Sequence, residues 1–452
     1  MPPVLDANFI RAIGLGRLVN FEGTLQGAVI DSRKIRPGLA FFALRGENED
    51  GHLYVDKALV AGGSLAVVAS NWSGTAEHNW PLWIVPDPEQ ALQALAERWR
   101  VQFNIPFLAI TGTNGKTTTR AMCAAVVGTQ YNLHSTSGNL NNQLGLPLTL
   151  LDLTSGHQFS LLEMGTNHFG EIASLCQIAH PTAGLITNIG HGHLEFFGSI
   201  DGVRRAKAEL FERLPSDGIA FVNTDDENIK RIPISQKRFT FGFNSHSNDV
   251  NARLISFDEN ACPQIEVNGQ FEIKLKVSGY PAAQNALAAV AVGLYYQIAP
   301  ENIKAALENF TAINQRFIVQ TDGPCRIIND AYNANPDSTL AALRTFQLMK
   351  LNGRRIFIMG DMRELGDFSL AGHVMVGEAV AAMGIDAFYG VGELTKKAIE
   401  SAYASGLREA RHFPDKTALV AHLHRTLDPE DTVLVKGSRG SRMEEVITKL
   451  KG

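Results

Sequence analysis

Residues 106–127 read PFLAITGTNGKTTTRAMCAAVV: an apolar run from Pro106 to Thr111, a turn carrying Gly112 and Gly115, and a stretch from Thr117 to Val127 with helical spacing. Strand, glycine loop and helix in that order make a phosphate-binding turn, in which backbone N–H groups at a helix N-terminus face an anion. Lys116 adds an ammonium for terminal phosphates, and Thr117 a hydroxyl placed for Mg2+. The loop departs from the general G-x-x-x-x-G-K-[ST] pattern, because Ile110 stands at the first glycine position and Gly112 is the loop glycine instead.

Working outward, short apolar strands are predicted at Phe159–Leu162, Ala183–Thr187 and Ile219–Val222, separated by helical stretches as a doubly wound parallel sheet requires. Helices from about Ala282 to Tyr296 and from Glu301 to Asn309 close this block. The rhythm restarts after Arg316 with Cys325–Ile328, Arg355–Met359, Ala387–Tyr389 and Thr432–Val435, which implies a second parallel sheet. Upstream, Leu25–Ile30, Ala40–Leu44 and Leu65–Ala69 alternate with polar turns and one helix near Val55–Ala61. A Pro-rich stretch, Pro81–Pro88, precedes a helix predicted over Glu89–Val101 and places a boundary near residue 84. The expected fold class is α/β in three domains: a small N-terminal α/β substrate domain (1–84), a central P-loop-type doubly wound parallel sheet (85–314) and a C-terminal Rossmann-like α/β domain (315–452).

Composition narrows the function classes. A chain of 452 residues suits about three domains at roughly 150 residues each. With 45% hydrophobic and 19% charged residues it is globular rather than disordered or fibrous. Lys and Arg number 41 against 46 Asp and Glu, so the net charge of -5 lacks the basic excess expected of a nucleic-acid binder. Cys123, Cys176, Cys262 and Cys325 form no C-x-x-C pair and read as reduced, buried thiols. The N-terminus has no secretory pattern, and the longest apolar run, Ala286–Tyr296, is short of the roughly 18 residues of a membrane span. A cytoplasmic, monomeric protein without membrane insertion is expected.

The TGTNGKTTT loop resembles that of the Mur ligases, ATP-dependent amide-forming enzymes of bacterial cell-wall precursor synthesis. The resemblance continues through Thr136, Asn139, Asn141, Asn142, Gly145 and Pro147, through Glu163-Met164-Gly165 and NIGHGHLE (188–195), and into Arg205-Ala206-Lys207-Ala208-Glu209. In the last third, DAYNANPDS (330–338), Gly360-Asp361-Met362 with Glu364-Leu365-Gly366, and Lys436-Gly437-Ser438-Arg439 resemble the branch of the family that adds D-alanyl-D-alanine.

That resemblance implies ATP and Mg2+, with two ions, and as reactants a UDP-N-acetylmuramoyl-tripeptide and D-alanyl-D-alanine. It implies nucleotide contacts from Gly112, Thr113, Asn114, Gly115, Lys116, Thr117, Thr118, Asn285, Arg316 and Asp330, with Asn285 at the adenine, Arg316 at the γ-phosphate and Asp330 at the ribose. It implies metal contacts from Thr117, Glu163, His193 and a carbamylated Lys207, and catalytic roles for Lys116, Lys207, His193 and Arg316. Substrate contacts fall on Ser32, Arg33 and Arg45 for the uridine nucleotide of the sugar-peptide and on Asn139; in the last domain Lys436, Ser438 and Arg439 follow a strand as donors for the dipeptide carboxylate or phosphate oxygens, and Asn333, Asn335 and Asp337 are partners for an ammonium or amide. Taken without the resemblance, Glu163 ends a predicted strand, where its carboxylate either projects into the ligand crevice to hold Mg2+ or is an exposed strand-end acid or helix cap; Lys207 is a solvated helix lysine, Asn285 an N-cap and His191 a residue with no assigned role. Pro281 and Ala282 stand where relatives carry His-Asn. A sister ligase or a folylpolyglutamate synthase would share the loop, Glu163 and Lys207, but DAYNANPDS and KGSRGSR argue against both; a nucleotide-driven switch would need neither a separate substrate domain nor a second βα domain.

Overall fold

The computed structural model describes residues 4–47, 49–76, 79–245, 247–311, 316–321 and 323–451. Its centre is a nine-stranded sheet whose parallel part runs, in spatial order, Leu133–Ser135, Phe159–Glu163, Phe107–Thr111, Ala183–Ile186, Ile219–Asn223 and Lys237–Gly242. Every residue of Phe107–Thr111 is buried, which is why the strand reads as an unbroken apolar run. Phe107 and Ala109 point to one face, against the helices Pro88–Arg100, Glu171–Ala179 and Ile200–Glu212. Leu108 and Ile110 point to the other, against Lys116–Val127, Tyr280–Tyr295 and Pro300–Asn309. Since Phe159–Glu163 and Ala183–Ile186 flank Phe107–Thr111 on opposite sides, the chain reverses its winding there and opens a crevice at the carboxyl ends of these strands.

Beyond Lys237–Gly242 the sheet continues as Val250–Phe257, Pro263–Val267 and Phe271–Lys274, the last two pairings antiparallel. None of the strands between residues 237 and 274 is expected from the sequence pattern. They are half-solvated, so their apolar residues alternate with polar ones and make no continuous run.

The first sheet has the order Arg17–Val19, Leu82–Val85, Leu65–Ala69, Leu39–Phe42, Gly27–Val29, with only the first pair antiparallel. The helix near residue 55 spans Val55–Val60. Where a boundary was expected near residue 84, the strand Leu82–Val85 runs, its flanking Pro81 and Pro86 standing just outside the ladder. The helix that follows starts at Pro88 behind an Asp87 cap that accepts from the Glu89 N–H at 2.8 Å. Its Ala91, Leu92 and Leu95 share one apolar cluster with Phe42, Val67 and Trp83 of the first sheet and Phe107 of the central one. This helix thus covers two sheets at once.

The third sheet is ordered Ile318–Gln320, Arg326–Asp330, Thr432–Lys436, Arg355–Gly360, Ala387–Val391, Ala410–Phe413, antiparallel only at Ile318–Gln320. The limit expected between residues 314 and 315 lies outside the described residues. The four cysteines are free and buried. No helix among the described residues is long and apolar enough to cross a membrane.

Candidate active site

The carboxyl end of Phe107–Thr111 passes into the glycine loop, and two glycines there are required by space as well as by backbone angle. Gly112, at φ +150°, would drive a Cβ into the Thr187 hydroxyl; Gly115, at φ +80°, would place one 2.6 Å from Asn285 Oδ1. The loop is stitched to the segment after Ala183–Ile186. Thr113 N–H donates to Asn188 O (2.9 Å), Asn114 N–H to Asn188 Oδ1 (2.9 Å), and the Thr187 hydroxyl to Asn114 O (2.6 Å). Lys116 curls back, its Nζ donating to Gly112 O at 2.8 Å and Thr113 O at 3.2 Å. Burial pulls its ammonium below the usual lysine range, and the nearby Arg316 adds to this, while Glu163 opposes it.

Glu163, the last residue of its strand, is buried and accepts three hydrogen bonds. Oε1 takes Thr117 Oγ1 (3.1 Å) and Asn141 Nδ2 (2.9 Å), and Oε2 takes Arg120 Nε (3.1 Å). Arg316 Nη2 donates to the same Thr117 hydroxyl at 3.2 Å, and its guanidinium lies 4.4 Å from the centroid of the Tyr332 ring. Arg316 Nε is buried without a partner among the described residues, a donor in want of an acceptor.

From the third sheet, Asp330 Oδ2 pairs with Lys436 Nζ at 2.6 Å, and the same ammonium donates to Asn333 O at 3.0 Å. The Ser438 hydroxyl donates to Asp361 O at 2.6 Å. Asn335 caps the helix Pro336–Leu348 in a capping box with Ser338 and also reaches Asn114 of the phosphate loop. Two histidines complete the seam. His191 pairs with Asp337 (Nδ1 to Oδ1, 2.9 Å) and stacks on Phe368, while His193 Nδ1 lies 2.6 Å from Glu364 Oε2, close but not aligned as a hydrogen bond. His193 holds the Glu364 carboxyl below its ordinary value.

These groups line a cleft of about 850 Å³ between the central and third sheets. It gathers Thr113 to Thr118, Asn139, Glu163, His193, Asn285, Arg316, Asp330, Asn333, Asn335, Lys436, Ser438 and Arg439. Lys207 is behind the wall rather than on it, 1% exposed on the helix Ile200–Glu212. Burial first, and then the Lys116 charge, push it well below the usual lysine range, so it is no solvated helix lysine. Asn285 is not an N-cap: it sits inside the helix Tyr280–Tyr295, whose cap is Gly279, and accepts from the Thr119 hydroxyl at 3.0 Å. Pro281 occupies the first turn of that helix, where a missing N–H costs nothing.

Ser32, Arg33 and Arg45 are not in the cleft. Arg33 forks onto Asp31 at 2.9 Å, and Arg45 meets Asp50 and Asn71, each at 3.2 Å. Arg120 and the pairing of His191 with Asp337 are absent from the predicted site, and Tyr332 is visible only within DAYNANPDS. Asn141 and Glu364 were visible only as parts of longer motifs.

The cleft fits a nucleotide triphosphate: a glycine cradle that a Cβ would fill, an ammonium, and an orphaned guanidinium donor. Among the described residues no group of three or more His, Cys, Asp and Glu is arranged to hold a metal. The hard oxygens of Thr117 and Glu163 suit instead Mg2+ held by few protein ligands, with phosphate and water filling the rest.

The Mur ligase middle domain matches residues 110–293, and the Mur ligase, glutamate ligase domain matches residues 315–439. The UDP-N-acetylmuramoyl-tripeptide--D-alanyl-D-alanine ligase of Escherichia coli (strain K12) is 38% identical over 96% of each chain, and that of Bacillus subtilis (strain 168) 34% identical over 96% of each. Among solved structures, MurF from Acinetobacter baumannii superposes with a TM-score of 0.88 at 29% identity, covering 100% of this chain and 99% of its own. The MurF ligase from Thermotoga maritima in complex with ADP gives 0.81 at 25% identity, over 94% and 97%. With cleft, loop and both domains in agreement along nearly its whole length, the chain belongs to the Mur ligase family.

Proposed function

We propose that the protein is an ATP-dependent amide ligase that joins D-alanyl-D-alanine to the terminal carboxylate of UDP-N-acetylmuramoyl-tripeptide, giving the pentapeptide precursor of peptidoglycan, ADP and phosphate. The observation that carries the reading is the single cleft in which the phosphate loop, Glu163 and Arg316 face Asn333, Lys436 and Ser438. A carboxylate is a poor acyl donor, so the γ-phosphoryl group passes first to the peptide carboxylate, making an acyl phosphate. The free amine of the dipeptide attacks that carbonyl, phosphate leaves, and the amide remains.

Each residue has a part in this sequence. Lys116 exchanges its two backbone carbonyls for phosphate oxygens, and Arg316, with its unpartnered Nε, meets charge developing on the transferred group. Asn285 and Asp330 serve the nucleoside, and Asn139 the sugar-peptide. Lys436, Ser438, Arg439, Asn333 and Asn335 receive the dipeptide. Ser32, Arg33 and Arg45 hold the uridine diphosphate end, each arginine trading a local carboxylate for phosphate. Mg2+, when bound, neutralises phosphate and carboxylate oxygens that otherwise repel each other, and Thr117, Glu163 and His193 would hold it. Lys207 suits carbamylation, since a buried lysine kept neutral is a nucleophile for CO2 and the product is an oxygen donor for a second ion. The substrate domain at 1–84, the ATP domain at 85–314 and the dipeptide domain at 315–452 belong to the same proposal, as do a cytoplasmic location and a monomeric state.

The test is incubation with ATP, Mg2+, UDP-N-acetylmuramoyl-tripeptide and D-alanyl-D-alanine, read by mass spectrometry and phosphate release. Pentapeptide formed only with every component present supports the ligase. Phosphate without pentapeptide points to another acceptor, and folded, ATP-binding protein without turnover would replace the ligase by a nucleotide-driven switch.

A further inference from the structure

Glu163 is 2% exposed and sits at a strand end, yet its two oxygens are treated differently. Oε1 faces Thr117 and Asn141, neutral groups of the cleft wall, whereas Oε2 is taken by a cation, Arg120 Nε, at 3.1 Å. Thr117 and Arg120 are three residues apart on the helix Lys116–Val127, hence on one face, so the loop hydroxyl and the guanidinium reach the same carboxylate together. Arg120 is itself anchored: Nη1 donates at 3.2 Å to Ser135 Oγ, at the end of the strand that pairs in parallel with Phe159–Glu163. The Glu163 backbone N–H is held by Thr136 Oγ1 at 3.0 Å, which fixes the residue from behind. Both ends of the guanidinium are thus tied to adjacent strands, and its side chain is only 12% exposed.

We propose that Arg120 is a positioning residue for the reaction: it pins Oε2 of Glu163 so that this carboxylate turns a single oxygen, Oε1, towards the cation beside Thr117. This rests on the reading of Glu163 as a Mg2+-holding residue. Mg2+ demands near-octahedral geometry at short distances, so a carboxylate free to swing or to chelate through both oxygens would hold it poorly. A planar guanidinium spanning two acceptors prevents that motion, which an ammonium at the same place would do only in part. The charge of Arg120 also compensates the buried carboxylate in the absence of metal. Its repulsion of an incoming dication works the other way, and the two effects predict opposite signs on substitution.

The experiment is a calorimetric titration of ADP at stepped Mg2+ concentrations, with thermal unfolding as a check on folding. Wild-type protein that binds ADP no better with Mg2+ would overturn the metal reading of Glu163 itself. With that dependence in place, R120Q is expected to need on the order of 10-fold more Mg2+ for the same gain in ADP affinity, the usual scale for an outer partner of a metal ligand. Its affinity for metal-free ADP is unchanged, and R120K recovers part of the loss. S135A, which keeps the guanidinium and loosens its anchor, shifts the Mg2+ requirement in the same direction by less, and carries the test should R120Q fail to fold. In steady state the Mg2+ requirement rises while KM for D-alanyl-D-alanine holds. An R120Q or S135A protein with an unchanged or lowered Mg2+ requirement overturns the proposal.

Discussion

Asn114 of the phosphate loop and Asn335 at the head of the helix Pro336–Leu348 exchange side-chain amides across the cleft, Asn335 Nδ2 donating to Asn114 Oδ1 at 2.9 Å and Asn114 Nδ2 returning at 3.4 Å. Asn335 Oδ1 meanwhile caps its own helix through the Ser338 N–H at 2.9 Å. One side chain therefore serves a local and a long-range purpose, and the two can be separated.

N335S keeps a good cap but is too short to reach Asn114, whereas N335A loses both. N335A should cost about 1 kcal/mol of stability, the usual value of a cap, and N335S a few tenths. Both should lose activity to a similar extent. Thermal unfolding paired with steady-state kinetics separates the terms, and an N335S protein with wild-type kcat/KM would remove the cross-cleft pair from function.

Among the described residues Lys116 donates only to backbone carbonyls of its own loop, so K116A leaves the core untouched. We expect an unchanged unfolding temperature and turnover lowered by at least about 10²-fold, the scale of losing one preorganised charge at a transition state. Near-normal ADP release by folded K116A would contradict the assignment of the phosphate loop.

Lys207 is a buried amine whose native pKa lies below its unfolded one. Between those two values the unfolded chain binds more protons, so this residue makes stability rise with pH and fall on acidification. K207M, similar in volume and apolar, should be more stable than wild type in CO2-depleted buffer at neutral pH, with a flatter pH dependence, and inactive. Stability curves at several pH values measure the first, and a K207M protein that still forms pentapeptide refutes the catalytic role.

His134 lies in the core between Ser160 Oγ (2.9 Å) and Thr149 O (2.7 Å), and burial pushes it down to about 4. The native state thus refuses a proton that the unfolded chain accepts near 6.5. Its contribution is intact above about pH 6.5 and is lost as pH falls towards 4, by about 3 kcal/mol in total at 1.36 kcal/mol per unit. Denaturant titrations of wild type and H134Q between pH 4 and 7 should converge on the acid side, and parallel curves would refute this.

The phosphate loop was legible because all of it is local: glycines, Lys116 and Thr117 follow one another, and strand and helix flank them. Glu163 was legible from the rule that ligands gather at the carboxyl ends of parallel strands. Arg120 was not. A basic residue on a helix is by default solvated, and its contact with Glu163 exists only because Leu133–Ser135 and Phe159–Glu163 come to lie beside that helix. The burial of Lys207 was hidden in the same way, since it exists only in the folded chain. The strands from Lys237 to Lys274 escaped because an edge ribbon half in water has neither a long apolar run nor a helical period. Pro281 read as an irregularity next to Asn285, yet it opens a helix in a favoured position.

The double duty of the helix Pro88–Arg100 bears on how such proteins can be recombined. Its Leu92 and Leu95 pack with both sheets, so a graft that ended at Val85 would set Phe42, Val67 and Trp83 against the recipient's own helix, whose side chains are not fitted to them. A chimera that imports the first sheet of a relative must bring this helix with it, and with the helix the side chains of the recipient's own centre that it touches. The N-terminal part is therefore one half of a fitted pair, its apolar face matched to a helix that the central sheet also uses.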